Sequence, residues 1–124
     1  MKIRAAVLRE MGLAAPYAQS RPIRITEAEL DPPGMGEVLV KTRVAGLCHS
    51  DLSVISGDRP RGMPLALGHE SSGEVVQVGP GVDDLKPGDH VVTVFVPSCG
   101  GCAPCMQGRP ALCEPGARAN TQGT

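Results

Sequence analysis

Four of the five cysteines in this 124-residue chain fall in the stretch CGGCAPCMQGRPALC, and their spacing is typical of a metal site. They are Cys99, Cys102, Cys105 and Cys113. Two-residue separations let successive thiolates converge on one ion, and the glycines between them permit the tight backbone turns that this requires. Four sulfur ligands complete a tetrahedron around Zn²⁺, so the spacing predicts a closed structural zinc site without an open position for chemistry.

Two disulfides within one loop, or a thioredoxin-like C-x-x-C redox pair, would use the same cysteines differently. The N-terminus MKIRAAVLRE has an apolar run of only Ala5 to Leu8, shorter than the roughly seven residues that a secretory signal needs. We therefore expect a cytoplasmic protein in a reducing environment, where spaced cysteines bind metal more often than they pair. An iron centre with four thiolates remains the main rival to zinc, because geometry alone barely separates the two metals.

A second group of residues has the chemistry of an open metal site. Cys48 lies in GLCHSDLSVISGD, and His69 and Glu70 follow in LGHESSGEVV. A thiolate, an imidazole and a carboxylate form the mixed ligand set found at catalytic zinc, where one position stays open for water or substrate. Each signal is weak by itself, because a lone cysteine is usually a small buried hydrophobe and a lone histidine a structural residue.

Charge and composition exclude several classes of partner. The chain has 12 Lys and Arg against 13 Asp and Glu, with no long run of one sign, so neither nucleic acid nor an anionic membrane surface is expected. Residues 91–108 are uncharged, but two prolines within them exclude a membrane-spanning helix. With 16 glycines and 12 prolines, the chain is predicted to be a turn-rich globular domain with small ligands.

Strands must position most of these residues. Strand-like runs occupy residues 3–8, 22–26, 37–45, 74–78 and 90–95, and Pro- and Gly-rich turns separate them. In the third run, one face is expected to be half-buried because its members alternate with charged residues. That face consists of Val38, Val40, Thr42 and Val44.

One segment has helical rather than alternating spacing. Leu47, Leu52 and Ile55 recur at helical intervals, so we expect a short helix that begins near Ser50 and ends at Gly57. Five strands with one or two short helices predict a mainly β fold in the form of a partly open barrel. No Gly-x-Gly-x-x-Gly sequence follows any of these strands, and no dinucleotide-binding βαβ unit is expected in this chain.

Together these patterns resemble the zinc-dependent alcohol dehydrogenases of the medium-chain dehydrogenase/reductase family. The matching pieces are GLCHSD at 46–51, GHE at 68–70, GEVVQVGPGV at 73–82, KPGDHV at 86–91 and the four-cysteine segment. They occur in the family's order and at close to its separations, over essentially the whole chain. The resemblance implies a GroES-like catalytic domain over residues 1–124, with a structural zinc lobe at about 97–115.

The resemblance also implies roles for residues near the second group. Cys48 and His69 would be two ligands of a catalytic zinc, and Glu70 a carboxylate behind the metal that binds it transiently. Ser50 matches the hydroxyl that takes the proton from the bound alcohol and passes it towards solvent. Asp51 matches a carboxylate that orients the ligand histidine.

Three further residues have two interpretations or a structural one. His49 matches a basic position that meets the cofactor pyrophosphate or joins the proton relay, and an exposed histidine is the alternative. Phe95, the only phenylalanine, matches an aromatic wall of the substrate cleft, with core packing as the alternative. His90 follows Asp89 into a strand, and we interpret it as structural.

The chain departs from the family pattern in two respects. No counterpart of the family's nucleotide-binding Rossmann domain is expected within these 124 residues, and all five cysteines are already assigned, so the usual third strong ligand of the catalytic zinc is missing from them. We therefore expect an N-terminal fragment, inactive by itself, of a longer enzyme that is a homodimer or homotetramer. In that enzyme Zn²⁺ would act as a Lewis acid while hydride passes between an alcohol and NAD(H) or NADP(H). The alternative is a zinc-stabilised β-barrel for binding or assembly, without catalysis.

Overall fold

The computed structural model describes residues 1–122, and short antiparallel strands dominate the fold. In chain order the elements are β1 (Lys2–Leu8), α1 (Tyr17–Ser20), β2 (Ile23–Glu29), β3 (Val38–Ala45), α2 (His49–Ile55), β4 (Leu65–Ala66), β5 (Ser71–Val78), β6 (His90–Val92), α3 (Ala103–Met106), a 3₁₀ turn (Pro110–Leu112) and α4 (Glu114–Gln122). Within the described residues, no helix combines the length and the apolar character needed to cross a membrane. The expected mainly β class is confirmed.

The strands form two open three-stranded sheets rather than a closed barrel. β1 lies between β2 and β4 in the first sheet, and β5 lies between β3 and β6 in the second. All four pairings are antiparallel, and β1 pairs with β2 along its whole length, from Lys2 opposite Glu29 to Leu8 opposite Ile23. This arrangement agrees with the expected partly open GroES-like domain.

β3 departs from the alternation that its sequence predicts. Its pairing with β5 shifts register between Leu39 and Val40 and again between Thr42 and Val44. Each bulge adds an unpaired residue and changes the direction of the side chains that follow, so the alternation breaks. Residues 38–40 are half-buried, but Val44 is 66% exposed, and the prediction of one half-buried face along the whole strand is wrong.

α2 forms where expected but packs by a different face. It begins at His49, and Gly57, with φ of 88°, adopts the left-handed conformation that ends helices. Val54 and Ile55 are its buried residues and pack in the main hydrophobic cluster. Leu47 is 99% exposed because it precedes the helix, so its predicted place on an apolar helical face is wrong.

The last strand is shorter than its sequence suggests. β6 ends at Val92, and the Thr93 N–H makes one further backbone bond, to the Ser71 carbonyl at 2.8 Å. The Thr93 hydroxyl donates to the His69 carbonyl at 2.5 Å and accepts from the Ser71 N–H at 2.8 Å, so this side chain partly replaces the backbone ladder. The prediction of a strand as far as Phe95 is therefore wrong. The early end of β6 directs the chain back towards His69.

Other element boundaries also differ from the sequence expectation. β2 extends to Glu29 and β5 begins at Ser71, because pairing with a neighbouring strand holds polar residues that carry no strand pattern of their own.

The described residues contain more helices than the one or two short helices expected, because α1, α3 and α4 accompany α2. α1 and α3 span four residues each, too few for a helical period to appear in the sequence.

Candidate metal centres and substrate cleft

The cysteine-rich segment folds so that four thiols meet. Their Sγ atoms lie within 4.8 Å of one another. The sulfurs of Cys102 and Cys113 are 3.9 Å apart, near the roughly 3.8 Å expected between the corners of a tetrahedron with Zn–S bonds of about 2.3 Å. A disulfide would require about 2.0 Å, and all five cysteines are free thiols. The donor set therefore fits a tetrahedral metal ion, which Cys99, Cys102, Cys105 and Cys113 would hold.

Backbone N–H groups stabilise thiolates in this cluster. The buried Cys113 sulfur accepts the N–H of Cys99 at 3.3 Å and that of Gly116 at 3.4 Å, and these bonds lower the pKa of Cys113. A hydrogen bond from the Cys105 backbone lowers the pKa of Cys102 to about 6. Burial raises the pKa of the Cys105 thiol to about 11. The lowered pKa values of Cys102 and Cys113 favour the thiolate form that binds metal.

Gly116 allows the two ends of the cluster to approach each other. A Cβ at this position would overlap the carbonyl oxygen of Pro97 and lie 3.3 Å from the Cys113 sulfur. Glycine is therefore required where α4 passes the loop that leads to Cys99.

Cys48, His69 and Glu70 also meet, although 20 residues separate the first two. One ligand atom from each lies within 4.8 Å of the others. Cys48 directly precedes α2, whereas His69 and Glu70 precede β5. The Gly46 N–H donates to the Glu70 carbonyl at 2.6 Å, which joins the two segments beside the cluster. A thiolate, an imidazole and a carboxylate are a donor set that fits Zn²⁺ with a position left open.

The first turn of α2 places two polar side chains around the histidine. Asp51 Oδ1 lies 3.2 Å from His69 Nδ1, and Asp51 Oδ2 accepts the Cys48 N–H at 3.4 Å. An imidazole that donates its Nδ1–H to a carboxylate keeps the Nε2 lone pair, which is the ligand form. Ser50 Oγ lies 3.2 Å from His69 Nε2 and 3.2 Å from Cys48 Sγ. The Ser50 hydroxyl therefore contacts both candidate ligands.

Phe95 and His49 occupy different surroundings. Phe95 packs edge-on against His69, with ring centroids 5.1 Å apart, and lines the cleft in front of that histidine. His49, the first residue of α2, is exposed and lies outside the cleft lining that residues 1–122 form. Its interpretation as a cofactor contact stays a prediction. His90 begins β6, opposite Glu74 of β5, in agreement with its structural interpretation.

The cleft in front of His69 has a volume of about 280 Å³. Besides Ser50, Asp51, His69 and Phe95, it is lined by residues that the sequence analysis missed, among them Arg59, Arg61, Leu65, Leu67 and Asn120. The guanidinium carbon of Arg59 lies 5.1 Å from the centroid of the Phe95 ring. No local pattern marks such an arginine, because an arginine in a turn is usually a solvated surface residue.

The fold and the two clusters define a mainly β domain with a closed thiolate site and an open mixed site, and comparison with known proteins identifies its family. Residues 34–124 match the alcohol dehydrogenase GroES-like domain. The chain belongs to this domain family. The resemblance to zinc-dependent alcohol dehydrogenases of the medium-chain dehydrogenase/reductase family is thereby confirmed.

Individual relatives agree with the family match. The NDMA-dependent alcohol dehydrogenase of Amycolatopsis methanolica is 50% identical over 117 residues, which are 94% of this chain and 29% of that protein. The crystal structure of benzyl alcohol dehydrogenase from Acinetobacter calcoaceticus matches with a TM-score of 0.83 at 35% identity, over 100% of this chain and 32% of that one. The cobalt- and zinc-bound thermostable alcohol dehydrogenase from Pyrobaculum aerophilum matches with a TM-score of 0.80 at 33% identity, over 94% and 33%. The chain thus spans about a third or less of these relatives' lengths.

Proposed function

We propose that residues 1–124 are the N-terminal catalytic domain of a longer oxidoreductase that interconverts alcohols with aldehydes or ketones, using NAD(H) or NADP(H). The observation that carries this proposal is the Ser50 hydroxyl, 3.2 Å from both Cys48 Sγ and His69 Nε2. A hydroxyl between two metal-binding atoms is placed to exchange a proton with a substrate bound at the same point. The partial coverage of longer alcohol dehydrogenases is consistent with a domain that works together with further chain.

Each residue of the site has a distinct task in this proposal. Cys48, His69 and Glu70 would hold a zinc ion, which as a Lewis acid polarises the substrate oxygen when bound. Asp51 keeps the His69 ring in the tautomer and orientation that a ligand needs. Ser50 accepts the proton of the alcohol and passes it towards the open side of the cleft. The cysteines of the lobe would hold a second zinc that stabilises the fold.

The test of catalysis requires the longer protein with both metal sites loaded. We expect turnover with at least some members of a panel of primary, secondary and aromatic alcohols, with NAD(H) or NADP(H). Cys48→Ala should abolish turnover because it removes a ligand. Ser50→Ala should retain zinc but lower kcat by about 10²–10⁴-fold, the usual cost of losing a general acid or base.

Ser53→Ala is the matched control for Ser50→Ala. Ser53 lies on the same helix, but its hydroxyl donates to the His49 carbonyl at 3.2 Å and lies outside the cleft lining described above. We expect its kcat to stay within about twofold of the wild-type value. An equal loss in both variants would contradict the role of Ser50 and indicate a general effect on α2.

A binding or assembly module without catalysis is the second candidate. The limited donor set favours it, because within residues 1–122 the open cluster offers one cysteine, one histidine and one carboxylate. The longer protein with both zincs bound but without turnover of any alcohol or aldehyde would decide for this candidate. In either case the isolated chain should neither bind NAD(H) measurably nor oxidise alcohols, since its sequence lacks the glycine turn that holds a pyrophosphate.

A further inference from the structure

The cleft in front of His69 contains two positive charges that the proposed chemistry does not use. Arg59 and Arg61 both line it, and among the described residues the lining contains one carboxylate, that of Asp51. Asp51 is already occupied by its contacts with His69 and the Cys48 N–H. Exchange of hydride with a simple alcohol needs no cation at a distance from the reacting carbon.

The structure fixes Arg59 near the candidate metal site. The N–H of Arg59 donates to the Ser53 carbonyl at 2.9 Å, which ties this turn to α2. Its guanidinium carbon lies 5.1 Å from the Phe95 ring centroid, and that centroid lies 5.1 Å from the His69 ring. The guanidinium carbon is therefore no more than about 10 Å from the imidazole. Stacking on an aromatic face orients a guanidinium while its N–H groups remain able to donate in their own plane.

Neighbouring acids do not neutralise these arginines. The Asp58 carboxylate accepts the Ser56 hydroxyl at 2.7 Å. The ion pairs formed within residues 1–122 include neither Arg59 nor Arg61. The side chain of Arg61 donates to a backbone carbonyl, that of Pro60, at 3.2 Å. Both guanidinium groups thus keep donors for an anion that enters the cleft.

We infer that Arg59 and Arg61 form a subsite for a carboxylate of the substrate. The preferred substrates are then alcohols and aldehydes whose reacting carbon is joined to a carboxylate by a short carbon chain. Guanidinium groups bind carboxylates through paired N–H donors, and Val54, Leu65 and Leu67 in the same lining offer apolar contacts for the methylene groups. This inference rests on the proposed function, because it assumes that the reacting carbon lies beside His69.

The kinetic test compares substrates of equal length that differ in charge. We expect kcat/KM of the zinc-loaded longer protein to be about tenfold or more higher for 6-hydroxyhexanoate than for 1-hexanol or methyl 6-hydroxyhexanoate. Arg59→Gln and Arg61→Gln should each lower this ratio by about three- to tenfold, a modest factor because both side chains are partly exposed to water. The loss should appear mainly in KM, because the arginines would bind the substrate at a distance from the reacting carbon. Arg24→Gln on β2, outside the cleft lining, is the matched control and should leave the ratio unchanged. Higher ionic strength should also lower the ratio.

A binding measurement separates the subsite from catalysis. Hexanoate should bind the zinc-loaded protein in isothermal titration, with an affinity about three- to tenfold lower in Arg59→Gln and Arg61→Gln than in Arg24→Gln. Arg59→Lys should retain part of the affinity, since it keeps the charge but loses the paired donors. Melting temperatures equal to wild type would establish that the variants are folded.

Two results would overturn the inference. One is a wild-type ratio near one that the substitutions do not change, with turnover of 1-hexanol intact, which would leave the proposed function standing. The other is hexanoate binding that is absent or equal in all variants. If no alcohol is turned over, the proposed function fails, and arginine-dependent binding of hexanoate still decides whether the subsite exists.

Discussion

The cysteine lobe and the cluster of Cys48, His69 and Glu70 assemble metal-binding donors in opposite ways. All four ligands of the lobe come from one segment of fifteen residues, and backbone N–H groups surround its buried sulfur. The ligands of the open cluster come from two segments, and side chains from α2 surround them. The lobe is thus built by local chain, whereas the open cluster depends on contacts between the first turn of α2 and the segment that precedes β5.

Because the two clusters are built differently, we expect the fold of the lobe, but not that of the open cluster, to depend on metal. The lobe contains little regular structure apart from short helices, and among the described residues the buried side chain that it contributes is that of the ligand Cys113. A metal ion bound there would replace the hydrophobic core that such a segment lacks. α2, which follows Cys48, is anchored in the hydrophobic core by Val54 and Ile55, so the fold can hold the ligands of the open cluster without an ion.

The largest expected effect is the loss of the lobe in Cys113→Ser. The substitution removes a buried ligand that also accepts two N–H groups, so we expect loss of one zinc per chain and destabilisation by more than about 4 kcal/mol. Zinc analysis together with thermal unfolding measures both. Cys48→Ser is the control and should keep the lobe zinc. Equal destabilisation by the two substitutions would break the comparison.

A second expectation concerns the order in which metal leaves. The lobe has four thiolates, whereas the open cluster has one cysteine and two weaker ligands, so a mild chelator should empty the open cluster first. Titration of the zinc-loaded protein with chelator, followed by the absorbance of a zinc indicator, resolves the two steps. Release of both ions in a single step would contradict the ranking.

Asp51→Asn sharpens the comparison because it acts on one cluster only. Loss of the carboxylate behind His69 should weaken zinc binding at the open cluster by about 10–100-fold. The lobe should keep its affinity. Asp58→Asn is the control, since the Asp58 carboxylate bonds to Ser56 instead. An unchanged affinity in Asp51→Asn, measured by competition with an indicator, would show that Asp51 does not support the ligand.

Gly116→Ala tests the close packing of the lobe without removing a ligand. Its Cβ would overlap the Pro97 carbonyl, so we expect a loss of about 1–3 kcal/mol in the free energy of unfolding. Gly101→Ala is the matched control, because a Cβ there would meet no atom of the described structure within 4 Å. Denaturant unfolding of the zinc-loaded protein compares the two. A similar loss of unfolding free energy in both variants would indicate that chain flexibility, rather than the Cβ overlap at Gly116, causes the destabilisation.

The smallest effect is in the protons released when the lobe binds zinc. The pKa of Cys102 is lowered to about 6 and that of Cys113 is lowered too, so at pH 7.5 fewer than four protons should leave per zinc. The number of protons released per zinc follows from the binding enthalpies that calorimetry measures in buffers of different ionisation enthalpy. A count of four would contradict the lowered pKa values.

The same pKa shifts set the sign of the pH dependence of the metal-free lobe. Because the folded pKa of Cys102 lies below its ordinary value of 9.0, its contribution to stability is complete above pH 9.0 and is lost as the pH falls to about 6. Cys105 has the opposite pH dependence, because its folded pKa is raised from 9.0 to about 11. Its contribution to stability is complete below pH 9.0 and is lost as the pH rises through about 11.

Features that depend on local spacing could be predicted from the amino-acid sequence. The lobe ligands could be named because their distances along the chain are short enough to fix which sulfurs meet. α2 and its stop at Gly57 followed from helical spacing and a glycine that tolerates positive φ. The grouping of Cys48 with His69 needed both their ligand chemistry and the family resemblance, since the 20 residues between them leave their distance open.

Features that depend on contacts between distant segments could not be predicted and became visible in the folded chain. Bulges opposite β5 expose Val44, and the bond of Thr93 to His69 ends β6 and brings Phe95 to the imidazole. Arg59 enters the cleft because its turn is tied to α2 and its guanidinium stacks on Phe95. No local pattern encodes such contacts, because their free energy arises only when both segments are already in place.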